Sequence, residues 1–418
     1  MKVKVLGAAK KVGCSGFLLT SNGQSLLLDY GIETNREMIY PLHVRPKEIS
    51  ALLTTHSHLD HIGAEPLLYI DKNIKHYATR PTIQVSEVLL NDLLKISGSK
   101  LPFTQSEVRS LIDNSNAVRY NEPFKVGDFR VTFLDAGHIP GSAMIYIEEG
   151  DKKVLYTGDM NHLDTRLVRP AVKEISGDLD LVITESTYAH GDHKDRLDEE
   201  RKFIEYSREI VEGGGTLLVP AFAVSRAQEI AEIYHEHEFN DEIYMDGMAL
   251  KINEIFLNNP DFIRDPEMLR SSLSKITFIR DWRDRRKIVR RKASIISPAG
   301  MLSGGASTFY NERISGDDKN GIAIVSYQVE GTPGREMLDN RMIWIRGRRA
   351  KIKARLEQFE FSSHSGRTQL LDFFKGISGS PRVLTIHGEP ESCTGLANDL
   401  NGMGMKAVAP SLGDEVEI

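Results

Sequence analysis

The chain has 418 residues, 40% of them hydrophobic and 27% charged, with a formal net charge of −6 and two cysteines. No apolar run approaches the roughly 18 residues of a membrane span, so the composition is that of a soluble globular chain with no membrane partner. The net negative charge repels a polyanion, so any nucleic-acid binding must come from local basic runs.

The opening MKVKVLGAAKKVGCSGFLL lacks a basic region, apolar core and cleavage site in sequence, so it reads as a first strand rather than a secretory signal. Strand-like runs follow at Lys2 to Leu6, Gly16 to Leu19, Ser25 to Asp29 and Ala51 to Thr55, separated by turn residues. Residues 63 to 118 read as mostly helical, for instance Pro81 to Lys95 and Gln105 to Ile112. Strands return at Phe129 to Leu134, Met144 to Glu148, Lys153 to Tyr156 and Leu179 to Thr184. After Tyr188 a polar stretch leads into alternating strand and helix, with strands at Glu242 to Met245, Ala293 to Ser297 and 321 to 327, the mark of a parallel α/β unit. The expected division is 1–187 and 349–418 for one domain and 188–348 for an inserted α/β domain. Cys14 and Cys393 have neither disulfide-framework nor zinc-finger spacing, and a reducing cytoplasm is the expected location.

The strongest chemical signal is TTHSHLDHIGA, which puts His56, His58, Asp60 and His61 directly after an apolar run. Side chains alternate along extended chain, so His56 and His58 point to one side and can share a metal, while Asp60 and His61 turn toward a second. Imidazole and carboxylate without thiolate suit zinc. Two such ions need further ligands, and three apolar strands each deliver one into a Gly-containing loop: His138 in DAGHIPGS, Asp159 in YTGDMN and His387 in TIHGE. Asp159 is the natural bridge between a metal pair that clamps a phosphoryl group.

HSHLDH together with His138, Asp159 and His387 resembles the metallo-β-lactamase superfamily, and Asp29 in LLLDYG matches its first motif. The resemblance implies an α/β fold, the metallo-β-lactamase αββα sandwich, and two Zn²⁺ per chain. One ion would be held by His56, His58 and His138 and the other by Asp60, His61 and His387, with Asp159 shared and Asp29 steadying the ligand loop. The long interval between Asp159 and His387 fits an inserted β-CASP domain. That family's further motifs appear as Glu185 in TESTY, His364 in FSSHSGR and His387 itself, with PAFAVSRAQE, SPAGMLSGG and SYQVEGTPGR also similar. A histidine at 364 resembles the RNA-directed members, and the pattern is most similar to the archaeal relatives of the cleavage and polyadenylation specificity factor that lack a KH segment, then to RNase J. Lys11, and Ser365-Gly366 after His364, depart from the common pattern.

The resemblance implies a zinc-dependent ribonuclease that hydrolyses RNA in processing or decay, leaving a 5′-phosphate and a 3′-hydroxyl. Asp60 would ligate metal and orient the attacking water, His364 would protonate the leaving oxygen, and Glu185 would orient His364. Arg226 and the segment with Ser297, Ser303, Gly304 and Gly305 offer phosphate contacts. Two basic runs, 275–292 and 345–355, can neutralise phosphates on RNA, expected to be single-stranded. The inserted domain is expected to wall an RNA groove. A homodimer or an RNA-processing complex is the implied assembly. The competing readings are a non-catalytic RNA-processing scaffold and a zinc hydrolase of DNA or small esters; 5′-to-3′ exonuclease, endonuclease or both remain open.

Overall fold

The computed structural model describes residues 1–34, 38–71, 73–345 and 348–418. By compactness the chain divides into two units: Met1–Asp164, Pro170–Asp192 and Ser363–Ile418 form the first, and Thr165–Arg169 with His193–Ser362 the second.

The first unit is built on two seven-stranded sheets. One begins with Glu415–Glu417 and Lys2–Val5 and continues through Phe17–Ser21, Gln24–Leu28, Ala51–Leu53, Lys75–Thr79 and Ser115–Val118. The other runs from Lys406–Val408 through Arg382–Ile386, Leu181–Glu185, Lys152–Tyr156, Ala143–Glu149 and Phe129–Asp135 to Phe124–Val126. Alternation sends Val3, Val5, Phe17, Leu19, Leu26 and Leu28 of the first sheet against Val131, Phe133, Ile145, Ile147 and Tyr156 of the second. Their burial removes apolar surface from water and fixes which residues of each strand face outward. The outer faces are closed by helices: Arg80–Ser97 and Gln105–Asp113 seat Leu90, Leu93, Val108 and Leu111 on one sheet, and Arg367–Lys375 and Pro390–Gly402 seat Leu370, Phe373, Phe374, Leu396 and Leu400 on the other. This is the helix–sheet–sheet–helix sandwich of a metallo-β-lactamase fold.

The helix starts follow local chemistry. Thr79 accepts a hydrogen bond from the Thr82 amide ahead of Pro81, and Thr104 and Glu107 form a reciprocal capping box. The stretch 63–118 also contains two strands, Lys75–Thr79 and Ser115–Val118, in place of continuous helix. KHYAT and SNAV are too short and too mixed in polarity to signal a strand locally; parallel pairing of His76 with Ser115 and of Leu52 with His76 decides them.

The second unit holds a six-stranded sheet ordered Thr277–Ile279, Glu242–Asp246, Ala293–Ser297, Thr216–Pro220, Gly321–Ile324 and Arg355–Gln358, all neighbours parallel. By compactness the second unit runs from His193 to Ser362, beside the expected 188–348, and Arg355–Gln358 pairs with Gly321–Ile324 within its sheet. In the basic run 345–355, Arg346 and Gly347 lie outside the described residues. Among the described residues no helix is long and apolar enough to cross a membrane.

Candidate metal centre

Every histidine and carboxylate of the proposed ligand set sits at or just beyond the C-terminal end of a strand of the first unit. The strand Ala51–Leu53 stops two residues earlier than its sequence suggests, and Thr54 to His58 continue without ladder pairing into the short helix Leu59–Ile62. That helix carries Asp60 and His61. His138 follows Phe129–Asp135, Asp159 follows Lys152–Tyr156, Glu185 ends Leu181–Glu185, and His387 follows Arg382–Ile386. Asp29 and His387 both take positive φ, 55° and 52°, a backbone region costly for non-glycine residues and common where structure over-determines a functional side chain. Gly158, at φ +52°, lies so close to Thr55 that a Cβ would come within 2.8 Å of that residue's Cβ.

Two groups of donor atoms result. In the first, His58 Nδ1 lies 3.2 Å from both His56 Nε2 and His138 Nε2. Asp159 Oδ2 approaches these last two nitrogens to 3.6 and 3.8 Å. In the second, Asp60 Oδ2 lies 3.2 Å from His387 Nε2 and 3.9 Å from His61 Nε2. Asp159 Oδ1 stands 3.4 Å from His61 Nε2 and 3.4 Å from His387 Nδ1. Asp159 thus turns one oxygen toward each group. Its Oδ1 is buried and accepts no hydrogen bond among the described residues, an expensive state for a carboxylate oxygen unless a cation compensates it. Nitrogen and oxygen donors without sulfur suit a borderline divalent ion such as zinc, so the residues fit a resident metal.

The surrounding bonds aim these donors. His138 Nδ1 donates to the Ser363 carbonyl at 2.7 Å, which leaves Nε2 as the free lone pair facing the first group. His61 Nδ1 is held at 2.7 Å by Asp29 Oδ2, which leaves its Nε2 for the second. Asp29 is fully buried and also accepts the Thr55 amide, the Thr55 hydroxyl and the Tyr156 hydroxyl, each at 2.7 Å. Thr55, Tyr156, Ser363 and Thr187, whose hydroxyl donates to the His387 carbonyl at 3.0 Å, are supporting residues that sequence reading passed over. Nothing in their local sequence marks them, because their partners lie up to 225 positions away.

Electrostatics divide the two groups. Burial holds His58 down to about 4 and pushes His56 and His138 well below the usual imidazole value, so all three are neutral and ligand-competent. Burial also disfavours charge on His61, but Asp159, Asp29 and Asp60 outweigh it and raise that ring well above its usual value. Burial would raise the Asp60 and Asp159 carboxyls, yet His61 and His387 hold both below the ordinary carboxylate range.

His364 stands beside the first group, its ring centroid 4.6 Å from that of His138. Its Nδ1 lies 3.0 Å from both oxygens of fully buried Glu185, which also accepts the Met160 amide at 2.7 Å. Although burial opposes charge on His364, the Glu185 carboxylate raises it to about 9. Lys11 contacts Glu33 at 2.8 Å, and the Ser365 hydroxyl is shared with buried His162 at 2.9 Å.

Of the expected phosphate contacts, two are turned inward. Ser297 ends a central strand, is fully buried and donates to the Pro298 carbonyl at 3.2 Å. Arg226 is buried at the start of the helix Arg226–Glu236 and paired with Glu229. Neither offers its polar group to a ligand, since a strand interior and a buried ion pair satisfy them instead. Ser303 and Gly305 are exposed and Gly304 is half-exposed.

Fold and ligand geometry define a metallohydrolase of metallo-β-lactamase type with an inserted α/β unit. Residues 227–337 match the Beta-Casp domain model, 349–410 the model for a Zn-dependent metallo-hydrolase RNA specificity domain, and 5–202 the model for the anti-Pycsar protein Apyc1. The chain is 36% identical to RNase aCSPSF2 of Saccharolobus solfataricus, covering 100% of this chain and 85% of that one. It is 33% identical to the probable RNase MJ4 of Methanocaldococcus jannaschii over 100% of both chains. It is also 30% identical to the transcription termination factor FttA of the same organism, over 97% of this chain and 70% of that one. A crystal structure of a protein of unknown function from Enterococcus faecalis V583 superposes with a TM-score of 0.63 at 12% identity, covering 99% of each chain, a likeness of fold. The chain belongs to the β-CASP family of metallo-β-lactamase-fold ribonucleases.

Proposed function

We propose that the protein is a two-zinc ribonuclease that hydrolyses single-stranded RNA in RNA processing or decay. The observation that carries this reading is Asp159, whose two oxygens face two separate donor groups, one of them accepting no hydrogen bond among the described residues. His56, His58, His138 and Asp159 would hold one ion, and Asp60, His61, His387 and Asp159 the other. When bound, such ions supply positive charge against phosphoryl oxygens and make water a competent nucleophile near neutral pH. Asp60, half-buried beside His387, orients that water. His364 keeps its Nδ1 on Glu185, so the proton it delivers to the leaving 3′ oxygen sits on Nε2. Glu185 keeps that ring protonated and aimed. The backbone at half-exposed Gly304 and exposed Gly305 and the Ser303 hydroxyl remain candidate phosphate contacts. Relatives named as RNases align along the whole of this chain, which favours RNA over DNA or small esters as substrate and an enzyme over a scaffold.

The test is incubation of the zinc-loaded protein with matched RNA and DNA, end-labelled or internally labelled, carrying a 5′-monophosphate or a triphosphate, beside His364→Ala. RNA cleavage leaving 5′-phosphates, with DNA spared and the variant severely slowed, is the expected result. Mononucleotide release confined to monophosphorylated RNA identifies 5′-to-3′ trimming, and fragments indifferent to the 5′ end identify internal cutting. A protein that binds two equivalents of zinc yet leaves every RNA intact overturns the enzymatic reading.

A further inference from the structure

The chain contains two tryptophans, and both lie in its most basic runs. Trp282 is 52% and Trp344 58% exposed, although an indole is on average well buried. We propose that the face of the inserted unit bearing these two side chains is an RNA-holding surface, on which bases stack against the indoles while neighbouring arginines neutralise phosphates. The choice of RNA as occupant rests on the ribonuclease reading above.

Local geometry builds the surface. In the helix Trp282–Ile288, Ile288 is buried in the apolar cluster over the six-stranded sheet, and the opposite side presents Trp282, Arg283 and Arg286 to solvent. The Arg286 guanidinium lies 3.9 Å from the Trp282 ring centroid, one turn on, so indole and cation form one stacked pair. Arg285, on the inner side, is spent on Asp246 at 2.7 Å, and Arg291 on Glu242 at 3.1 Å. Arg283, Arg286 and Arg290 have no ion-pair partner among the described residues. In a chain of net charge −6, cations left unneutralised beside an exposed ring are placed for an anion brought from outside.

Trp344 repeats the arrangement on a strand. In the ribbon of Met342–Ile345 with Arg348–Lys351, Ile343 packs into the same apolar cluster as Ile288. Alternation turns the next residue, Trp344, outward, directly across from Arg349, which is steadied by Glu336. The elements that carry the two tryptophans thus pack into one and the same apolar cluster. Aromatic faces interleaved with arginine are how single strands are held without sequence preference, each stacked base contributing roughly tenfold in affinity. A second copy of this chain is a poorer occupant, because a symmetric contact sets arginines against arginines.

The chain's tryptophan fluorescence reports these two positions alone. The probe is a 2′-O-methyl oligoadenylate, resistant to cleavage, added to the full-length protein, with anisotropy of the labelled oligomer measured in parallel. We expect quenching in the parent, about half of it in W282F and in W344F, and binding weakened about tenfold or more in R283A/R286A/R290A. That triple variant should also lose about two units of slope in log affinity against log salt, while its melting temperature and its cleavage of a short substrate stay unchanged. Binding by anisotropy without quenching overturns the proposal, as does a change of sedimentation without RNA that vanishes in W282A, which would assign the face to another protein copy. Quenching that persists while no RNA is cut leaves the surface standing and sinks the ribonuclease reading instead.

Discussion

Asp29→Asn isolates what a buried carboxylate contributes when it touches no metal. Asparagine has nearly the same shape and tolerates the positive φ of 55° at this position, so the change removes charge and little else. Asp29 Oδ1 accepts one hydrogen bond and Oδ2 three. The better amide orientation puts the carbonyl at Oδ2 and sets the NH₂ against the Thr55 amide, leaving two buried donors face to face. The orphaned donor costs about 2 kcal/mol, and three bonds downgraded from a charged to a neutral acceptor cost about 1 kcal/mol each, about 5 kcal/mol in all. For a unit of this size that is a fall of roughly 10–20 °C in melting temperature of the metal-free protein. His61 keeps only a neutral acceptor for the Nδ1 that aims its Nε2, so the second of the two proposed ions should bind about 10–100-fold more weakly while the first is spared. Differential scanning calorimetry and zinc counting against graded chelator read both quantities. A variant that melts with the parent and keeps two equivalents of equal affinity would refute the assignment of Asp29 as the brace of His61.

Three shorter predictions rest on other groups. The Glu185 carboxylate raises His364 to about 9, so its proton is held at neutral pH and lost as pH climbs through that value; the alkaline limb of the cleavage profile should move to lower pH in Glu185→Gln, and an unmoved limb would separate His364 from proton transfer. Glu232 is fully buried in the second unit with neither carboxylate oxygen hydrogen-bonded among the described residues, and burial first, then Glu229, raise it well above the usual 4.5. Because the folded form then holds its proton more tightly than the unfolded chain, its contribution is fully present below pH 4.5 and lost as pH rises; Glu232→Gln should melt higher than the parent at pH 8 and match it near pH 4.5, as thermal scans across pH will show. Gly158→Ala drives a methyl into Thr55 at a positive φ, and should lower both melting temperature and zinc content, whereas Gly191→Ala, with open space around it, should change neither.

The clustering of the proposed ligand set is legible in the sequence because its chemistry is written locally. HSHLDH concentrates four donors at one strand end, and His138, Asp159 and His387 each follow an apolar strand and sit next to a glycine or in a loop containing one. Strand alternation and helix caps are likewise set by near neighbours, which is why most of the expected strands appear within a residue or two. Tertiary structure decided what depends on distant partners. Lys75–Thr79 and Ser115–Val118 become strands because a sheet edge was there to pair with them. Arg355–Gln358 joins the inserted sheet by pairing with Gly321–Ile324, a partner that lies outside its local sequence. Ser297 and Arg226 carry residue types suited to phosphate, but a central strand and a neighbouring glutamate turn them inward. Thr55 and Tyr156 meet on Asp29 from separate segments of chain, and Glu185 meets His364 across 179 positions of chain. Residue type and spacing specify which atoms can bind a metal or move a proton; burial and long-range hydrogen bonds, which exist only after folding, specify which of them are free to do so.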